Sequence, residues 1–134
     1  MILGVDPGER RVGVAIADEE TRFARPLEVI DAQVSDPVSR LSELAAEHGA
    51  TLVVVGKPLS LSGREERAAQ DAAPFVDALR AALAIEVVEH DERLTTVIAE
   101  RSLRAGGASS AARKRVRDAV AASVMLQGFL DGRR

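Results

Sequence analysis

The chain contains no cysteine, tryptophan or tyrosine and only three phenylalanines in 134 residues, and each shortage removes a class of function. Without thiols there are no disulfide staples, thiolate metal centres or cysteine nucleophiles, and zinc becomes a poor candidate; the composition suits a reducing cytoplasm. With 2% aromatic residues, stacking on nucleobases cannot dominate contact with a nucleic acid, which would instead be held by its phosphate backbone. No apolar run approaches the roughly 20 residues of a membrane span. In the opening MILGVDPGERR the charges follow the apolar run, the reverse of a signal peptide. The expectation is a soluble, unexported, cytoplasmic protein.

What is present is ordinary globular material, 46% apolar and 29% charged, in a length that fits one domain over residues 1–134 and can bury roughly two-thirds of its unfolded surface. The formal net charge of −3 gives no overall attraction to nucleic acid, but the charges are segregated. Glu86, Glu89, Asp91 and Glu92 crowd one segment, and the following stretch 101–117 carries Arg101, Arg104, Arg113, Lys114, Arg115 and Arg117 with no acid. Such a basic run is either a solvated helix start or a surface for phosphates.

Hydrophobic spacing outlines the fold. Ile2-Leu3-Gly4-Val5 reads as a buried strand ending at Asp6; Pro7-Gly8-Glu9-Arg10 turns the chain, and Val12, Val14 and Ile16 resume alternation. A third extended segment spans about Arg22 to Ile30, where Pro26 argues for an edge position or a local break in pairing. Asp36-Pro37 caps and starts a helix with Val38, Leu41, Leu44 and Ala45 on its apolar stripe, ended by Gly49. Thr51 to Val55 is a strand buried on both faces. Ser62 and Glu65 have capping-box spacing before a stripe from Ala68 to Leu83, with a kink expected near Pro74. Ile85 to Glu89 is the fifth strand, Asp91-Glu92-Arg93 lies past its end, Thr95 or Thr96 can cap a helix stopping near Gly106-Gly107, and a final helix runs from about Ala112 to Leu130. The expected architecture is α/β: a three-strand antiparallel meander plus two parallel strands in one five-stranded mixed sheet, flanked by helices.

In such a sheet the carboxyl ends of the parallel strands share one edge, which collects Asp6, Gly56 and Asp91. Asp6 before Pro-Gly could be a plain turn residue, and Asp91 or Glu92 could simply pair with Arg93. Asp118 is more informative, since Ala122, Met125 and Phe129 follow it at i+4, i+7 and i+11, which places a carboxylate on an apolar helix face. A carboxylate there needs a partner: Lys114 at i−4, or a divalent cation shared with Asp6 and with Asp91 or Glu92. Oxygen donors without thiolates or clustered histidines favour Mg²⁺ or Mn²⁺. Three converging carboxylates suit two-metal phosphodiester hydrolysis, and Arg11, Lys57 and Lys114 could neutralise phosphate oxygens nearby. His48 reads as a helix-end residue, and His90 is isolated in sequence.

Four segments in this order, GVDPGERRVGVAIAD, VVVGKPLSLSGREERA, HDERLTTVIAE and RDAVAASVMLQGFL, resemble the YqgF/RuvX family, associated with pre-16S rRNA processing and with Holliday-junction-resolvase-like proteins. The resemblance covers nearly the whole chain. It implies a single RNase H-like nuclease domain and an acidic site of Asp6, the Asp91-Glu92 pair and Asp118; the metal ligands expected are Asp6, Asp118 and one of the pair, Asp91 being taken ahead of Glu92. It also implies Mg²⁺ or Mn²⁺, expected as two ions, and processing of the 16S rRNA 5′ end as the task. Arg11, Lys57, Arg93, Arg113, Lys114 and Arg115 are the expected substrate-binding residues. Family members usually carry an apolar residue where Lys57 stands. The rival readings are a DNA four-way-junction resolvase, for which a homodimer rather than a monomer would be natural, and a non-catalytic nucleic-acid-binding factor.

Overall fold

The computed structural model describes residues 1–8, 10–57, 64–91 and 110–132; of Lys57, 64–72, Asp91 and 110–117 it describes the backbone alone. The elements are β1 (Ile2–Pro7), β2 (Arg11–Ala17), β3 (Ala24–Asp31), α1 (Pro37–His48), β4 (Leu52–Lys57), α2 (Arg64–Ala82), β5 (Glu86–Asp91) and α3 (Ser110–Gly132). The five strands form one sheet in the order β3-β2-β1-β4-β5. β1 pairs antiparallel with β2 and β2 with β3, whereas β1–β4 and β4–β5 are parallel. This is the expected mixed sheet, an RNase H-like α/β architecture with three helices among the described residues. The expected cap at Ser62 and the helix opened by Thr95 or Thr96 lie outside them.

Strand alternation divides the core in two. Leu3, Val5, Val12, Val14, Ile16, Val53, Val55 and Val87 face α1 and α2, meeting Leu41, Leu44, Val76 and Leu79. Ile2, Ala15, Ala17, Leu52 and Val54 face α3, meeting Ala122, Met125, Leu126 and Leu130. Each of the large side chains among these contributes about 1.5–3 kcal/mol on burial. The α3 side of the sheet is lined by small residues, Gly4, Gly13, Ala15 and Ala17, so this helix lies close to the strands. A Cβ on Gly4 would come within 2.8 Å of the Leu126 Cβ, and one on Gly13 within 2.0 Å of the Asp118 carbonyl oxygen.

Local chemistry sets the element boundaries. Asp36 caps α1 by accepting from the Ser39 amide (3.3 Å) and the Ser39 hydroxyl (2.7 Å); Pro37 follows, and Gly49 ends the helix in the left-handed region at φ 63°. Pro26 sits on β3, an edge strand, next to a register shift opposite Val14 and Ala15. β3 is tied to α1 by the Arg40 guanidinium, whose Nε and Nη2 both donate to Glu28 at 2.7 Å and hold that carboxyl below the usual range. Several boundaries differ from expectation, β4 among them, which runs from Leu52 to Lys57 rather than from Thr51 to Val55. β5 continues to Asp91 because its ladder with β4 runs on through Gly56–His90 and Lys57–Asp91, and β3 begins at Ala24 because the chain is still turning at Arg22, with φ 59°.

Candidate functional site

The site is organised around Gly13. In the β1–β2 ladder Gly13 is the cross-strand partner of Asp6, and it lies on the sheet face that α3 covers. At this point the helix backbone at Asp118 rests on the glycine, so close that an alanine would overlap both the Asp118 carbonyl oxygen (2.0 Å) and its carbon (2.5 Å). On β1, Ile2 and Gly4 face α3, and alternation places Asp6 on the same face. Two acids from opposite ends of the sequence therefore flank a single residue with no side chain. Both are half-buried.

Asp118 is held from β2. Its Oδ2 lies 3.4 Å from Nε of Arg11, the first residue of that strand, and the two side chains are only 23% and 27% exposed. Sequence spacing pointed to Lys114 as the local ion-pair candidate for Asp118 and to Arg11 as a phosphate contact. The structure instead shows Arg11 as an ion-pair partner of the acid, while the Lys114 side chain lies outside the described residues. Nothing local in the sequence marks the Arg11–Asp118 pair; it follows from α3 crossing the start of β2.

Asp91 is the last residue of β5, level with Lys57 at the end of β4. Val5 pairs with Val55 and Val55 with Glu89, so β1 and β5 finish at the same sheet edge, two strand spacings or about 10 Å apart. The side chains of Asp91, Lys57, Arg113, Lys114 and Arg115, and Glu92 and Arg93 altogether, lie outside the described residues. His90 packs on α3: its ring meets Phe129 edge-on at 5.5 Å and 78°. His48 is the last residue of α1, as expected.

The acids brought together among the described residues are thus Asp6 and Asp118. No set of three metal-binding side chains occurs among those residues. The donor chemistry fits a hard divalent cation: carboxylate oxygens from two rigid elements, and no thiolate anywhere in the chain.

An open cleft of about 370 Å³ adjoins the pair, lined among the described residues by Arg10, Arg11, Val29 and Asp31. Arg10, which the sequence reading passed over, is 65% exposed on its rim and reaches Asp31 only at 4.0 Å. No described helix is long and apolar enough to cross a membrane.

Comparison with known proteins bears on the family and the fold. A family model described as "RuvX: Holliday junction resolvase" matches residues 1–132. A protein of Chloroflexus aggregans named "Putative pre-16S rRNA nuclease" is 48% identical over 134 residues, covering 99% of this chain and 94% of its own; one of the same name from Clavibacter sepedonicus is 44% identical, covering 98% and 83%. Among solved structures, T. thermophilus RuvC in complex with a Holliday junction substrate superposes with a TM-score of 0.59 at 20% identity over 98% of this chain and 94% of that one. The Fowlpox virus Holliday junction resolvase does so at 0.54 and 9% identity, covering 98% of each. At these identities the structural likeness establishes the fold.

Proposed function

The chain belongs to the RuvX family, and on that premise we propose that it is a nuclease that hydrolyses phosphodiester bonds in structured nucleic acid with the aid of divalent ions. Its substrate on this reading is the 5′ end of the 16S rRNA precursor in the cytoplasm. The observation that carries the proposal is the seating of Asp118 on Gly13, directly across the ladder from Asp6. A surface ion pair has no need of a glycine at that position. The close seating of the helix backbone on Gly13 sets a strand carboxylate and a helix carboxylate side by side, as a shared cation would require.

Asp6 and Asp118 would hold Mg²⁺ or Mn²⁺ together with Asp91, two ions being the number that suits an in-line displacement. Bound ions supply an activated water and stabilise the leaving oxygen. The protein's own part is positional. Strand ends and a close-packed helix fix the carboxylates, and Arg11 orients Asp118 through its 3.4 Å pairing and sets positive charge where nonbridging phosphate oxygens would lie.

Family description and fold likeness together favour one alternative, cleavage of four-way DNA junctions. One preparation tests both readings by Mn²⁺-dependent cleavage of a precursor 16S fragment, a four-way junction and an unstructured strand. The expected result is cleavage of the precursor fragment. Asp6→Asn should lower it by more than about a hundredfold, beyond what losing an outer-shell partner costs, with an unchanged circular dichroism spectrum. Preferential cutting of the junction would make the chain a resolvase, and undiminished cleavage by Asp6→Asn would remove Asp6 from the mechanism.

A further inference from the structure

The cleft between the start of β2 and the end of β3 lies one residue from the acid pair, since Arg11 belongs to its wall and to the ion pair with Asp118. Resting on the reading of the chain as an enzyme of nucleic acids, we propose that this cleft seats a backbone phosphate of the strand being cut, on the β3 side of the carboxylates, with Arg10 as its principal contact. Arg10 is poised for the role. Its carbonyl is fixed by accepting from the Ala32 amide at 2.8 Å, so its position on the rim is set by the fold. Its side chain is 65% exposed, and its Nη2 approaches the Asp31 Oδ2 at 4.0 Å, too long for a hydrogen bond.

Asp31 is partly committed elsewhere, its Oδ2 being the oxygen that faces Arg10. Its Oδ1 accepts from the Gln33 amide at 2.9 Å, and its carbonyl accepts from Val34 and Ser35 at 3.0 and 2.9 Å. A phosphate offers the planar Arg10 guanidinium two acceptor oxygens for a bidentate pair, whereas Asp31 has one carboxylate oxygen already engaged by the Gln33 amide. Asp31 then acts as a local repulsive charge that weakens retention of the strand.

The arrangement predicts opposite signs for two neutralising substitutions, which a purely structural role for the Arg10–Asp31 contact does not. The measurement is fluorescence anisotropy in chelator, so that no cleavage occurs, across a salt series. The probes are a labelled RNA hairpin with a single-stranded 5′ extension and a DNA of the same sequence. Arg10→Gln should weaken binding several-fold and reduce the log–log salt slope by about one unit on both probes, the signature of one lost phosphate contact. Asp31→Asn keeps the acceptor for the Gln33 amide and should tighten binding about two- to fivefold at low salt. Arg25→Gln, an equal charge change on exposed β3 surface at the strand's other end, should leave the slope unaltered.

The inference is overturned if Arg10→Gln behaves as Arg25→Gln does, if Asp31→Asn weakens binding or leaves it unchanged, or if the unaltered chain binds neither probe. The outcome is separable from the proposed function. Cleavage with no Arg10 effect removes the cleft and keeps the nuclease, while the Arg10 and Asp31 pattern in a chain that cleaves nothing does the reverse.

Discussion

On the proposed reading one of the adjacent acids Asp91 and Glu92 completes a three-carboxylate site, and only one can do so readily, because neighbours on an extended chain point to opposite faces. Asp91 closes β5 in register with Lys57, so its backbone is held by the sheet, and a ligand on a rigid element keeps its geometry better than one on a loop. Val88 and His90 take the α3 face of that strand. Glu92 has the longer arm. The expected outcome is that Asp91→Asn costs at least about tenfold more activity at saturating Mg²⁺ than Glu92→Gln, whose loss should stay within the 10–100-fold typical of an outer-shell partner. The reverse order would make Glu92 the ligand, and equal small losses would dissolve the three-carboxylate site. Steady-state rates against metal concentration check all three.

At the level of elements, the contact of α3 with β2 sets the distance between Asp118 and Asp6, and Gly13 permits that contact. Gly13→Ala should therefore act on stability and activity together. The added methyl overlaps backbone that cannot rotate away, so the helix must lift, at about 1–3 kcal/mol, and Asp118 lifts with it. Thermal melts should show a lowered midpoint. Mn²⁺ titration followed by calorimetry should show weakened binding even well below that midpoint; normal metal affinity in a destabilised Gly13→Ala chain would separate the packing from the site. The sequence showed much of this framework: the meander, the parallel pair, Pro26 at an edge, the Asp36 and Gly49 caps and the apolar stripe after Asp118 all follow from local rules. Gly13 did not stand out, because a glycine within the alternation Val12-Gly13-Val14 acquires its meaning only when another backbone is laid against it. The Arg11–Asp118 pair was hidden for the same reason, since the helical spacing that made Lys114 a candidate says nothing about which strand end α3 crosses.

Across the whole molecule, the direction of α3 determines where the segregated charge goes. Leu126 lies over Gly4 and Asp118 over Gly13, the partner of Asp6, so the helix runs antiparallel to β1. Residues 110–117 precede Asp118 as about 12 Å of helix on the side of the carboxyl edge. That segment includes Arg113, Lys114, Arg115 and Arg117 and no acid, in a chain whose net charge is −3. Basic charge spread evenly over the surface would leave nucleic acid repelled; gathered beside the acid pair, it offsets the repulsion where a phosphate backbone must approach carboxylates. The positive end of the α3 dipole adds to it. Replacing Arg113, Lys114 and Arg115 together with glutamine should therefore weaken RNA binding and flatten its log–log salt dependence by roughly two units, the value for two or three lost phosphate contacts. The salt series should be run in chelator, with melting points measured alongside to show that α3 remains docked. An unchanged slope would return the stretch to a solvated helix start, and the attraction would then have to come from the Arg10–Arg11 side of the site alone.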